Sequence, residues 1–124
     1  MIFTGYIFTD GSLRRHGGKD DARGGWAAIV TNGAGDMIHG IYGPNPHPFP
    51  TAFNRELLAV VMVLRKATPP LTIYTDNQAV VDGWHAGKRA TTHSAKPEAD
   101  LWYEFWCLIE DLKSERAGFT LRNR

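Results

Sequence analysis

The sequence predicts an α/β domain in which strands come first and then alternate with helices. A run of β-branched and aromatic residues from Ile2 to Thr9 is typical of a strand and ends at the turn Asp10-Gly11-Ser12. From about Asn54 the apolar residues change to helical spacing. A short motif also occurs twice, as IFTDGS at residues 7–12 and IYTDNQ at residues 73–78. Both copies end an apolar strand on an aspartate, and alternation of this kind is typical of α/β folds.

Length and composition indicate one domain, residues 1–124. With 124 residues and 43% hydrophobic content, the chain can bury one core and has no room for a second domain. Charged residues make up 22% of the chain and the net charge is +1, which argues against a disordered basic or acidic tail. Any contact with nucleic acid must therefore come from a local patch of charge.

The cysteine content and the N-terminal sequence indicate in which cellular compartment the protein is expected. Cys107 is the only cysteine, so it cannot form an internal disulfide, and its apolar helical surroundings predict a buried, inert thiol. The N-terminal MIFTGYIFTDG lacks a basic region and a cleavage site, and no apolar run approaches the roughly 20 residues needed to cross a membrane. We expect a soluble intracellular protein, cytoplasmic or nuclear, with no membrane contact.

The remaining elements follow from periodicity and from turn residues. Trp26–Thr31 and Met37–Tyr42 are predicted strands joined by a glycine-rich turn, which gives three strands in antiparallel succession. Residues 43–51 contain four prolines and are predicted to form a loop. The later predicted elements are a nearly all-round apolar helix at 54–66, a central strand at 71–75, a short helix at 77–84, a polar loop at 85–97, a long helix at 98–113 and a final strand at 119–122.

The repeated motif has a chemical consequence if its two strands are parallel neighbours. Asp10 and Asp76 would then reach the same sheet edge, the carboxyl edge where α/β proteins bind ligands. Glu56, the single early acid of the helix at 54–66, is predicted in its first turn, beside the two aspartates. Three converging carboxylates repel unless a cation lies between them, and Mg²⁺ is the simplest candidate. In-line attack on a phosphodiester uses such a site, with two metals about 4 Å apart.

Each acid also has an ordinary structural explanation. Asp10 before glycine is common in turns, Glu56 is placed to complement a helix dipole, and Asp76 is placed to serve as an N-cap. Any one of these explanations suffices for its own residue. Together they require three independent coincidences in the order strand-Asp, helix-Glu, strand-Asp, so the functional interpretation is favoured.

With these motifs the sequence resembles type 1 ribonuclease H and its relatives in retroelement reverse transcriptases. The matching segments, in the family's order, are IFTDGS, GGWAAIV, NRELLAVVMVL, IYTDNQAVVDGW and ADLW. The resemblance implies a mixed five-stranded sheet, three strands antiparallel and then two parallel, with helices on both faces. It also implies hydrolysis of the RNA strand of RNA/DNA hybrids with two Mg²⁺ or Mn²⁺ ions.

The resemblance assigns metal-binding and catalytic roles to three residues. By analogy Asp10 bridges both metals, while Glu56 and Asp76 hold the metal on the leaving-group side.

It also suggests substrate contacts. Gly11, Ser12 and Gln78 fall where the family approaches the sugars of the hybrid, whose 2′-hydroxyls distinguish RNA from DNA. Asn54 falls near the family's hybrid-contacting asparagine, although Arg55 here directly precedes Glu56. The cation-rich stretch that contains Lys88 and Arg89 resembles the basic region with which some members hold the hybrid. A solvated loop is an equally weighted interpretation of that stretch.

The resemblance also raises an alternative function. The family continues past its fifth strand into a loop histidine and a helix that carries a fourth carboxylate, whereas this sequence ends at Arg124, with Glu115 as its last acid. We therefore expect a domain without that C-terminal loop and helix, with weakened or absent catalysis or altered metal preference, or a further chain that supplies the element. The main alternative is an inactive module that binds nucleic acid or a partner, such as a retroelement fragment. Another nuclease or nucleotidyl-transfer enzyme of the same superfamily, acting on DNA, is a third possibility, which is weaker because DGS and DNQ fit the hybrid-cutting branch best.

Overall fold

A computed structural model describes residues 3–10, 25–32, 34–44, 51–93, 98–114 and 118–123. The strands are β1 (Phe3–Asp10), β2 (Gly25–Thr31), β3 (Met37–Pro44), β4 (Ala67–Thr75) and β5 (Phe119–Asn123). The helices are α1 (Ala52–Leu64), α2 (Gln78–Ala86), α3 (Lys88–Thr91) and α4 (Ala99–Ser114). Two predicted site residues, Gly11 and Ser12, lie outside the described residues, as does most of the predicted proline-rich loop.

All five strands form one mixed sheet in the order β3-β2-β1-β4-β5. β2 is antiparallel to both β1 and β3, and β4 is parallel to both β1 and β5. Ile7 of the first repeated motif pairs with Ile73 of the second. The predicted parallel pairing of the two motifs is thus confirmed, together with the mixed five-stranded sheet.

The core lies on one face of this sheet. Alternate strand residues such as Ile7, Ile73 and Leu121 are buried there, in one cluster with the apolar faces of α1, α2 and α4. Trp102 and Trp106 on α4 belong to this buried cluster. All three of these helices pack on this face, so the expectation of helices on both faces is not met by the residues that the structure describes.

The opposite face of the sheet carries several accessible apolar side chains. Tyr6 is 49% exposed and Tyr42 is 85% exposed. Phe8 and Tyr74, on the two central strands, stack with their ring centroids 4.8 Å apart. An aromatic row therefore runs across the middle of this face.

α1 begins two residues before its predicted start because Thr51 caps it. The Thr51 side chain accepts a hydrogen bond from the Asn54 amide, and the Asn54 side chain accepts one from the Thr51 amide. Glu56 consequently lies in the second turn, and its predicted place in the first turn is wrong. The first turn contains no acidic residue.

β4 begins at Ala67, four residues earlier than predicted, and includes the two prolines that were expected to precede it. Its pairing with β1 shifts register between Phe3 and Gly5, in the stretch where the prolines lie. Proline lacks an N–H group and is tolerated in a sheet where the hydrogen-bond ladder is interrupted.

Residues 85–97 were predicted to be a loop, but they contain the end of α2 and the short helix α3. Gly87, with φ +98°, makes the turn between these two helices. Thr91 at the end of α3 accepts a 2.7 Å hydrogen bond from the indole N–H of Trp106. This buried bond joins α3 to α4, a long-range contact that composition alone does not reveal.

Two further expectations can be compared with the structure. Cys107 is a free thiol that is half-buried, so it is less enclosed than predicted. Among the described helices, none combines the length and the apolar character that crossing a membrane would require.

Candidate active site

The carboxyl ends of β1 and β4 meet at one edge of the sheet. Phe8 pairs with Tyr74, and Asp10 and Asp76 each come two residues after this pair in the sequence, Asp10 as the last residue of β1 and Asp76 directly after β4. Asp76 follows β4 directly and is exposed in the bend before α2. The side chain of Asp10 lies outside the described part of the structure, which places this residue by its backbone as the last of β1.

Glu56 is packed against the end of β4. Its carboxylate is on the second turn of α1, and the residue is only 6% exposed. The hydroxyl of Thr75 donates a 3.1 Å hydrogen bond to Glu56 Oε2. The same hydroxyl oxygen accepts a 3.2 Å hydrogen bond from the backbone N–H of Asn77. Thr75 therefore joins Glu56 to the segment that carries Asp76.

Two of the structural explanations for these acids do not hold. Asn77, and not Asp76, is the N-cap of α2, because the Asn77 side chain accepts a 2.9 Å hydrogen bond from the Ala79 amide. Glu56 lies beyond the first turn of α1, where a carboxylate interacts most favourably with the helix dipole. Neither Glu56 nor Asp76 is explained as a helix-terminal residue.

Residues directly before Glu56 form the start of α1. Asn54 is completely buried and takes part in the capping box, so the structure places it within the fold of α1. Arg55 is also buried, and its Nε donates a 3.1 Å hydrogen bond to the Thr51 carbonyl. Burial lowers the pKa of the Arg55 guanidinium, and the nearby Glu56 carboxylate partly opposes this shift. A cation thus stands one residue from the buried carboxylate.

Gln78 lies at the same sheet edge, at the first position of α2. Its Nε2 donates a 2.8 Å hydrogen bond to Asp82 Oδ1, and its Oε1 accepts one from Asn123 Nδ2 at the end of β5. The amide is therefore held at both ends. Among the expected substrate-binding residues that the structure describes, Gln78 lies at the start of α2, two residues after Asp76.

The two predicted basic residues lie on α3, which packs against α2 and α4. Lys88 donates a 3.2 Å hydrogen bond to Glu110 on α4, and its Nζ lies 5.4 Å from the centroid of the Tyr103 ring. The hydrogen bond to Glu110 raises the pKa of Lys88. Arg89 is exposed. Lys88 is thus tied to the protein surface, while the Arg89 side chain faces solvent.

Sequence reasoning missed three polar residues at this edge. Thr75 could have been found because threonine precedes aspartate in both copies of the repeated motif. Asp82 stands four residues after Gln78, which is the spacing of side-chain pairs on a helix. Asn123 carries no such signal, because its contact depends on β5 lying beside β4.

The donor set at this edge is made of oxygen atoms. Within the described side chains, which do not include that of Asp10, no group of three metal-ligating residues is found. Glu56 and Asp76 supply carboxylates, and a third at the end of β1 would complete a set suited to a hard divalent cation. Asp10, Glu56 and Asp76 are therefore the residues that could hold such an ion.

Solved structures with the same fold include nucleic-acid enzymes. The crystal structure of LC11-RNase H1 in complex with an RNA/DNA hybrid is similar with a TM-score of 0.61 and 17% identity, over 96% of this chain and 83% of that one. The solution structure of the PFV RNase H domain is similar with a TM-score of 0.65 and 17% identity, over 100% of this chain and 80% of that one. At these identities the likeness shows the fold.

Sequence comparison shows the family. A family model described as RNase H matches residues 4–117. A ribonuclease H from Cupriavidus necator is 36% identical, over 84% of this chain and 73% of that protein. These matches span the strands and helices that build the carboxylate edge. This chain belongs to the ribonuclease H family of enzymes.

Proposed function

We propose that this protein is a metal-dependent endoribonuclease that hydrolyses the RNA strand of RNA/DNA hybrids. The observation that carries the proposal is the placement of buried Glu56, through Thr75, at the edge where the parallel strands β1 and β4 end on aspartates. Membership of the ribonuclease H family supports the reaction. The hybrid bound to LC11-RNase H1, which shares the fold, supports the substrate.

In this proposal Asp10, Glu56 and Asp76 hold two Mg²⁺ or Mn²⁺ ions. When bound, such ions activate a water molecule for attack on the phosphodiester and stabilise the leaving oxygen. The chain itself would orient the ligands, since Glu56 is buried and hydrogen-bonded while Asp76 is exposed to solvent, where substrate could reach it. Burial of one carboxylate beside two others also creates a need for positive charge, which the metals satisfy.

Recognition of the hybrid is proposed to use residues around the same edge. Gln78, held by Asp82 and Asn123, is placed to contact a sugar, and Gly11 and Ser12 follow Asp10 directly in sequence. Contacts to 2′-hydroxyls at these positions would select RNA over DNA.

Two further roles complete the proposal for the substrate site. Lys88 and Arg89 on α3 would bind phosphates electrostatically. Asn54 would act by fixing the start of α1, since its side chain is buried in the capping box.

Cleavage of labelled nucleic acids tests the proposal. An RNA/DNA hybrid would be compared with single-stranded RNA, duplex RNA and duplex DNA, each in Mg²⁺, in Mn²⁺ and in EDTA. Asp10→Asn would be run beside Asp36→Asn, which removes the same charge from an exposed turn residue between β2 and β3. We expect hybrid-only, metal-dependent cutting that is lost in Asp10→Asn and kept in Asp36→Asn.

Other outcomes would favour the alternatives. Folded wild-type protein that binds the hybrid without cutting it in either metal would support a non-catalytic binding module. Cutting of duplex DNA in preference to the hybrid would support a DNA nuclease. Hybrid cutting that survives Asp10→Asn would remove the proposed role of that carboxylate.

A further inference from the structure

We infer that Thr75 is a positioning residue whose hydroxyl sets the orientation of the Glu56 carboxylate for metal binding. The inference rests on the proposed metal site and adds to it a residue that does not itself ligate the ion. It is carried by the contacts of Thr75 with Glu56 and Asn77.

Thr75 and Glu56 meet in a buried environment. Thr75 is completely buried, and its Oγ1 lies 3.1 Å from Glu56 Oε2. The Asn77 backbone N–H donates to the same Oγ1 at 3.2 Å. A hydroxyl has one proton to donate, and the amide occupies an acceptor position, so the proton is directed to Glu56. The direction of this hydrogen bond is therefore fixed by the turn that follows β4.

Thr9, the matching residue of the first motif, makes a different contact. Its Oγ1 donates to the Tyr74 carbonyl at 3.2 Å, from β1 to the neighbouring β4. Both threonines are completely buried and both precede an aspartate. Strand propensity explains a threonine at either position, but it does not explain why the hydroxyl of Thr75 points at a carboxylate.

Orientation of Glu56 matters because Mg²⁺ accepts little deviation from octahedral geometry. An unanchored glutamate side chain samples several rotamers and must lose that freedom when the ion binds. A hydrogen bond to Oε2 reduces this freedom before binding. Hydrogen-bond partners of ligating carboxylates typically change metal affinity by about 10–100-fold when removed.

Titration with MgCl₂ alone, by calorimetry and by the amide NMR signal of residue 77, tests the inference without catalysis. Thr75→Val keeps the shape and removes the hydroxyl, and we expect it to weaken Mg²⁺ binding about tenfold. Thr75→Ser keeps the donor and should bind as the wild type does. In the wild type the amide signal should shift as Mg²⁺ binds, and in Thr75→Val the midpoint of this shift should move to about tenfold higher Mg²⁺.

Thr91→Val is the matched control. It also removes a buried hydroxyl, one that pairs with Trp106 and lies on α3, so it lowers stability without touching Glu56. Its Mg²⁺ affinity should equal that of the wild type. If Thr75→Val does not fold, Thr75→Ala removes the same donor with less side chain to accommodate.

Coupling to Glu56 decides the outcome. Glu56→Gln should itself weaken Mg²⁺ binding, and adding Thr75→Val to it should weaken binding no further. Wild-type affinity in folded Thr75→Val, or an equal loss in the Glu56→Gln background, would overturn the inference. Thr75-dependent Mg²⁺ binding without hybrid cutting would overturn the proposed activity alone, and a folded wild type that binds no Mg²⁺ would overturn both.

Discussion

The first turn of α1 depends on two side chains that hydrogen-bond to each other's main chain. Thr51 and Asn54 satisfy two amides that the helix itself leaves without partners. This turn carries Arg55 and leads directly to Glu56. Residue-level capping therefore determines where the buried carboxylate stands relative to the sheet.

Loss of the cap should destabilise the protein. Thr51→Ala removes the side-chain oxygen that accepts from the Asn54 amide, and we expect it to lower the free energy of unfolding by about 1 kcal/mol. Urea denaturation followed by circular dichroism measures the change. Thr51→Ser keeps the oxygen and should stay close to the wild type, so an equal loss in both variants would contradict the capping role.

Some of the individual residues at the site could be predicted from the sequence, and others could not. The aspartates and Glu56 could be identified because their types and order are visible in the sequence. The start of α1 could not, because Thr51 ends a proline-rich stretch and the apolar periodicity that marks the helix begins only later. The resemblance alone suggested Asn54 as a substrate contact, and its place in the capping box could not be seen without the start of α1.

At the scale of elements, α2 is fixed by two long-range contacts. Gly83 lies against the ring of Trp102 on α4, where an added Cβ would come within 2.3 Å of a ring carbon. Gln78 in its first turn is hydrogen-bonded to Asn123 of β5. These contacts hold α2 against α4 on one side and against the edge of the sheet on the other.

Substitution of Gly83 should reveal the first contact. In an unhindered helix Gly→Ala is favourable by up to about 1 kcal/mol, but here the clash with Trp102 should reverse the sign. We expect Gly83→Ala to destabilise the protein by about 1–3 kcal/mol in urea denaturation.

Gly118 provides the control for this substitution. Apart from its chain neighbours, no atom of the described residues lies within 4 Å of a Cβ added there, so Gly118→Ala should change stability by less than about 0.5 kcal/mol. A stabilised Gly83→Ala variant would contradict the close packing of α2 on α4.

The contact between Gln78 and Asn123 can be tested with a pair of substitutions that together leave the net charge unchanged. Asn123→Asp places a carboxylate against the Gln78 carbonyl oxygen, and we expect hybrid binding to weaken severalfold in a fluorescence anisotropy titration. Asp82→Asn alone keeps an acceptor for Gln78 and should have little effect on binding. The double variant carries the same net charge as the wild type. Its Gln78 amide can rotate by half a turn, so that Nε2 donates to the new carboxylate at position 123 and Oε1 accepts from the new amide at position 82. Binding should therefore recover.

If binding does not recover in the double variant, the result shows whether the orientation of the Gln78 amide controls hybrid binding. If the double variant bound as weakly as Asn123→Asp, the orientation of the Gln78 amide, rather than its anchoring, would control binding. If Asn123→Asp bound like the wild type, the contact between α2 and β5 would have no part in substrate binding.

Elements were predicted best where one periodicity ran without interruption. β1, β2 and α4 were found within one residue of their observed bounds. β4 was shortened in the prediction because prolines usually exclude a central strand, and the local register shift that admits them cannot be read from sequence. α3 was missed because four residues are too few to display a helical period.

For the whole molecule, the carboxylate edge is a site of conflict between stability and function. Glu56 is buried against Thr75 at the end of β4, Asp76 follows this strand, and Asp10 ends the neighbouring strand β1. If the three carboxylates form the proposed metal site, their charges would repel without a cation and weaken the fold. A bound cation would make the same arrangement favourable.

Asp10→Asn should therefore stabilise the metal-free protein. We expect its free energy of unfolding in EDTA to rise by about 0.5–2 kcal/mol over the wild type. In the wild type, Mg²⁺ at a hundred times its Kd should add about 2.7 kcal/mol, and most of this gain should be absent in Asp10→Asn. Thermal unfolding with and without Mg²⁺ measures both effects.

Asp36→Asn again serves as the control, because it removes a carboxylate from an exposed turn. It should show the full Mg²⁺ effect and no gain in EDTA. An Asp10→Asn protein that is destabilised in EDTA, or that keeps the full Mg²⁺ effect, would contradict the account of charge repulsion.

The overall architecture was largely predictable, and the contacts within the site were not. Two strands with the same ending identified the parallel pair and hence the functional edge. The hydrogen bonds of Thr75 with Glu56 and of Asn123 with Gln78 join elements far apart in sequence, and no local pattern encodes them.

The parallel pairing of β1 with β4 also has a kinetic consequence. Thr9 and Tyr74 are 65 positions apart, and the antiparallel β2 and β3 as well as α1 lie between them. Closing a loop of this length costs entropy before any contact repays it, so this pairing is expected to form late in folding. The last strand, β5, can join only after β4 is in place.

In a refolding experiment, Mg²⁺ binding should therefore return with the slowest phase, after most helical signal has recovered. A nascent or partly folded chain would expose its aspartates singly, with no capacity to bind the ion or to cut nucleic acid before the domain is complete.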